Sequence, residues 1–139
     1  LRVVSQTLLS MAFLMDLILN IIFMQFLFLD DVRQPEDAAS YSSLEYKKLY
    51  RDNRWQIVRG YDTFVQYILH NGLPDVISFD YDLGAEKDGY DCAKWLINYM
   101  NENSFKVLPE ILCHSMNPVG KENLLQYFKF VKRFFSSAD

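Results

Sequence analysis

The sequence predicts an α/β domain with a parallel sheet of four or five strands as the middle of three layers and helices on both faces. Three observations predict it. The short runs at 26–29 (FLFL) and 76–79 (VISF) are apolar at nearly every position, the pattern of strands covered on both sides. Segments with helical spacing separate the runs, as the crossovers of parallel strands require. Each run also ends in polar residues, and open α/β sheets bind their ligands beyond the carboxyl ends of the strands.

The elements follow in order. Phe26–Leu29 is the first strand, ending at Asp30-Asp31. Residues 34–53 are polar, with Pro35 and several Ser and Tyr, and predict a loop with one irregular helix near Ser43–Tyr50. Trp55–Val58 is a second strand. Tyr61, Phe64, Val65 and Ile68 lie at helical spacing, and Asn71-Gly72 with Pro74 closes that helix. Val76–Phe79 is the third strand. Asp88-Gly89 is turn chemistry with Asp88 as a helix N-cap, and Ala93, Leu96, Ile97 and Met100 give the next helix its apolar face. Glu110–Cys113 is the fourth strand, and 120–135 a final amphipathic helix with a Lys129/Lys132/Arg133 face.

Residues 8–29 are almost continuously apolar, and the reading of residues 1–23 depends on how that run divides. No small-residue cleavage site follows, which disfavours a signal peptide. The length suits a membrane span, but Asp16 would sit near the bilayer centre at a cost of about 2.5–3.5 kcal/mol. The run also passes directly into the FLFL strand. The expectation is therefore an apolar extension over 1–23, outside the natural domain and not a membrane span, with Met24 as the natural start and the domain at 24–139.

Composition narrows the class. The chain has 139 residues, about one domain, and is 50% hydrophobic with 2 Trp, 9 Tyr and 11 Phe, so it can bury a core. A net charge of −4 and a pI near 5.1 argue against bulk binding to duplex nucleic acid. Two Cys without CxxC spacing and two His disfavour zinc and disulfides; Cys92 and Cys113 read as core residues. The expectation is a cytoplasmic domain of undefined oligomeric state.

Chemistry gathers at the strand tips: Asp30, Asp31 and Arg33; Arg59; Asp80 and Asp82; His114, Ser115 and Asn117. Clustered carboxylates repel, and a hard cation with oxygen ligands relieves them, so Asp30, Asp31, Asp80 and Asp82 are the candidate Mg²⁺ ligands. The bland reading of each is a solvated turn or N-cap residue, and two clusters at separate strand ends outweigh it. His114 is a candidate acid or base near neutral pH, with Asp80 beside it as the second catalytic candidate. Arg33, Arg59, Ser115, Asn117 and Lys121 are the candidate phosphate-binding residues. His70 reads as a helix-end cap.

These residues resemble a response-regulator receiver domain, and more closely the cyclic-phosphate-processing receiver-like family, associated by gene context with RNA repair and ligation. The matching segments are FLFLDDVRQP (26–35), WQIVRGYDTF (55–64), LPDVISFDYDLG (73–84), DGYDCAKWL (88–96) and HSMNPVGKEN (114–123). The resemblance implies a receiver/flavodoxin-like fold, with Asp30 and Asp31 as the acidic pair, Asp80 as the phosphate-accepting aspartate of an ordinary receiver, and Ser115 as the phosphate-contacting hydroxyl. No fifth strand carrying a Lys before a Pro is visible, and His114 and Asn117 are additional. The implied function is Mg²⁺-assisted processing of a phosphate ester, a phosphorylated small molecule or the 2′,3′-cyclic phosphate of an RNA end. The alternative is a non-enzymatic receiver module phosphorylated on Asp80.

Overall fold

The computed structural model describes residues 2–136; Leu1 and residues 137–139, the last three of the expected domain, lie outside the described residues. The chain runs α1 (Arg2–Ile22), β1 (Phe26–Leu29), α2 (Pro35–Ser40), α3 (Leu44–Tyr50), β2 (Trp55–Val58), α4 (Tyr61–Asn71), β3 (Val76–Phe79), α5 (Gly89–Glu102), β4 (Glu110–Cys113) and α6 (Pro118–Val131), then a 3₁₀ turn (Lys132–Phe134). The four strands form one parallel sheet in the order β2-β1-β3-β4. All four strands stand where the apolar runs place them. Among the described residues the sheet has four strands; near its edge, Val107 and Ser136 form a single parallel bridge.

Alternation along the strands sends side chains to two cores. Leu27, Leu29, Ile77 and Phe79 meet Phe64 and Ile68 of α4, Ala93, Leu96 and Met100 of α5, and Leu124 and Phe128 of α6. Phe26, Phe28 and Val76 meet Ala38 and Ala39 of α2, Tyr50 of α3 and Trp55 of β2. Helices thus cover both faces, completing the three layers.

The structure corrects the sequence reading at two places. Residues 35–40 form a helix, not a loop: Pro35 opens it, and the Gln34 amide donates to the Asp37 carboxylate at 2.8 Å. The last helix starts at Pro118, capped by Asn117, whose Oδ1 accepts from the Gly120 amide at 3.0 Å, and ends at Val131 rather than 135. α5 begins as expected, with Asp88 accepting from the Asp91 amide at 2.9 Å. α4 ends at Gly72, whose φ of +86° is open to glycine.

α1 contributes nothing to either core. Every residue from Val3 to Phe23 is exposed, and the helix projects from the edge of the sheet where the strands begin.

Candidate functional site

The strand order changes direction between β1 and β3, and the crevice beyond their carboxyl ends is where such sheets bind ligands. Asp30 and Asp31 leave β1 there, and Asp80 leaves β3. One carboxylate oxygen from each of the three lies within 4.8 Å of the others. Asp31 and Asp80 border a pocket of about 260 Å³, walled also by Arg33, Asp82, Ser115 and Asn117, with Asp30 buried behind it. Asp82 stands outside the carboxylate trio and accepts from the Asn117 amide nitrogen at 3.0 Å.

Asp30 is fully buried, yet ionised. Its Oδ1 accepts from the backbone amides of Val32 (2.9 Å) and Arg33 (2.7 Å), and its Oδ2 faces His114 Nε2 at 3.0 Å. Burial alone would raise its pKa; the His114 contact and the two amides outweigh burial and bring it down to about 2. Asp80 goes the other way. Burial, and then the charge of Asp30, push its pKa up, against smaller opposing contributions from His114 and the Ser115 hydroxyl. Arg33 spans the pair, 3.6 Å from Asp30 Oδ2 and 3.8 Å from Asp80 Oδ2.

His114 does not line this pocket. Its ring lies inside the protein beneath Asp30, stacked on Phe28 with centroids 4.1 Å apart. Nδ1 is 2.6 Å from Ser78 Oγ, which is 2.7 Å from the Tyr50 hydroxyl. A consistent set of donors runs from Tyr50 O–H to Ser78, from Ser78 O–H to Nδ1, and from Nε2–H to Asp30, so both ring nitrogens are satisfied. The Tyr41 hydroxyl donates to the His114 carbonyl at 2.8 Å. Residue type and strand-tip position pointed to His114; nothing pointed to its partners. The available signal was Ser78, a hydroxyl inside a buried strand, which must find a hydrogen bond.

The basic candidates divide. Arg33 reaches the pocket. Arg59 instead donates through one nitrogen to the carbonyls of Asp30 (3.0 Å) and Arg33 (2.6 Å), which fixes the loop carrying the carboxylates. Lys121 opens onto a different groove, between α3, β4 and α6. Ser115 Oγ accepts from the Asn117 amide at 3.2 Å, joining the tip of β4 to the start of α6. Asp80 is held from behind: a Cβ on Gly89 would fall 1.9 Å from the Asp80 carbonyl oxygen.

The donor set tests well against a metal. Three carboxylates, with no sulfur or free imidazole, suit a hard divalent cation, and a cation there would relieve the Asp30 charge that, after burial, pushes the Asp80 pKa up. The cluster can bind a metal ion.

Parallel four-stranded topology, helices on both faces and an acidic trio at the β1/β3 tips define a receiver-like domain. The family model for the cyclic-phosphate processing receiver domain matches residues 25–130, and the chain belongs to that family. No curated protein and no solved structure matched the chain.

Proposed function

We propose that this domain processes phosphate esters with Mg²⁺, and that its substrate is the 2′,3′-cyclic phosphate of an RNA end in cytoplasmic RNA repair. The observation that carries the reading is the pairing of Asp31 and Asp80, with Asp30 behind them, with Arg33 and Ser115 around one small pocket, in a chain of the cyclic-phosphate processing family. A pocket of about 260 Å³ suits a phosphate and its sugar, below the roughly 300–1,000 Å³ of a drug-sized ligand site.

Asp30, Asp31 and Asp80 would hold the ion, with Asp82 at the rim. When bound, Mg²⁺ would neutralise the phosphoryl oxygens and orient the ester. Arg33 and Ser115 position the remaining phosphate oxygens, and Asn117 shapes the pocket through Asp82. The two buried carboxylates have pKa values driven apart, the pattern of divided acid–base roles. Asp30 stays ionised; Asp80 takes a proton from attacking water. The water oxygen bonds to phosphorus, one ribose P–O bond breaks, and the proton passes to the freed ribose oxygen. His114 acts through Asp30, fixing its orientation and charge, and is a positioning residue. Arg59 holds the loop, and Lys121 lines a different groove.

The second reading, phosphorylation of Asp80 itself, is favoured by the Ser115 hydroxyl beside that carboxylate. Incubating the chain with a 2′,3′-cyclic-phosphate oligonucleotide, with and without Mg²⁺, tests both. Mg²⁺-dependent opening to a monoester supports the first. An acyl phosphate stable on Asp80, with no opening of the ring, supports the second.

A further inference from the structure

We propose that α1 inserts into a lipid bilayer and tethers the domain to a membrane, an inference independent of the phosphoester reading. Val3–Ile22 is a continuous helix of 20 residues, none of it buried. At 1.5 Å per residue it spans about 30 Å, the thickness of the hydrocarbon core. It carries eleven Leu, Ile, Val or Phe residues and one charge, Asp16. Sequence reading set the Asp16 cost against a span and left the segment without a role. The structure removes the competing explanation that a core covers these side chains.

Their arrangement selects the occupant. Val4, Met11, Met15 and Ile18 mark one side of the helix, Val3, Leu14 and Ile21 another, and Leu9, Phe13 and Leu17 interleave with Ser5, Gln6, Ser10, Asp16 and Asn20 on the remaining side. A partner helix would cover one stripe; only lipid covers every side. The apolar surface continues onto the domain, where Phe23, Pro74, Phe105, Val107 and Pro109 line a groove around the helix exit. The Arg54 guanidinium donates to the Ile21 carbonyl, placing a cation at the helix end as interfacial residues are placed. β1 begins at Phe26, close after α1, so the acidic pocket at the far end of the strands points away from the bilayer.

The test uses the full chain with phosphatidylcholine/phosphatidylglycerol vesicles in a flotation gradient, before and after an alkaline carbonate wash. The chain is expected to float and to resist the wash. Leu14→Lys with Ile18→Lys is expected to lower the bound-to-free ratio more than a hundredfold, since each Lys adds several tenfold steps of insertion cost. Its melting temperature without vesicles stays that of the parent, because α1 supports no core. Four results would overturn the proposal: release by carbonate, vesicle binding unaffected by the double substitution, a vesicle-free soluble oligomer joined through α1, or an intact mass showing residues 1–23 removed.

Discussion

Asp80→Asn removes a charge from a cluster that holds too many. The oxygens of Asp30, Asp31 and Asp80 lie within 4.8 Å, so each carboxylate pair repels by about 3.5 kcal/mol at an effective dielectric of about 20. Arg33, 3.8 Å from Asp80, returns about 4 kcal/mol on the same scale, discounted because it is one-third exposed. The asparagine keeps an oxygen for the Tyr81 amide, which donates to Asp80 at 2.8 Å. Two repulsions lost against one attraction lost leave a net relief of about 3 kcal/mol, or about 12 °C in melting temperature for a domain of this size. Without metal, the variant should therefore melt above the parent. Mg²⁺ at ten times its Kd should stabilise the parent by about 1.4 kcal/mol and leave the variant almost unmoved. Differential scanning fluorimetry with and without chelator reads both. A variant that melts lower without metal, or that keeps the full Mg²⁺ response, refutes the electrostatic account of the trio.

Three further outcomes follow from the same geometry. Gly89→Ala forces a methyl group against the Asp80 carbonyl and should lower both stability and Mg²⁺ affinity, the latter measured by calorimetry. His114→Ala leaves Asp30 buried without its side-chain hydrogen bond from His114 and should cost about 2–4 kcal/mol in urea unfolding, while His114→Gln, which keeps an N–H toward Asp30, should recover part of the loss and part of the metal affinity. For pH, the metal-free parent should gain slightly as acidification first protonates Asp80, whose folded pKa is raised. It should then lose about 2 kcal/mol between pH 4 and 2 as Asp30, depressed to about 2 when folded, is protonated. Asp80→Asn should lack the initial gain and keep the acid loss.

β1 and β3 were legible because burial on both faces leaves an unmistakable apolar run, and the strand-tip rule then gathered the carboxylates without any coordinates. α2 was not legible. It is six residues long, and Ala38 and Ala39 fill its side of the core with too little apolar bulk to form a pattern. The roles of the polar residues were also hidden, because a strand-tip position does not say which way a side chain turns. Arg59 has the charge to bind phosphate but points to two backbone carbonyls of the loop beside it. His114 is of the residue type that serves as an acid–base catalyst but lies under Asp30, in a chain of hydrogen bonds whose other members, Ser78 and Tyr50, come from β3 and α3. Contacts of that range depend on the packing of the two layers.

The central claim is that the trio, with a metal, opens a phosphate ester. Single-turnover assay of a 2′,3′-cyclic-phosphate oligonucleotide, with chelator or Mg²⁺ and with parent or Asp80→Asn, tests it most directly. The account predicts ring opening by the parent with Mg²⁺ alone, abolished in Asp80→Asn. An intact cyclic phosphate in every arm, or opening that ignores both Mg²⁺ and Asp80, would contradict it.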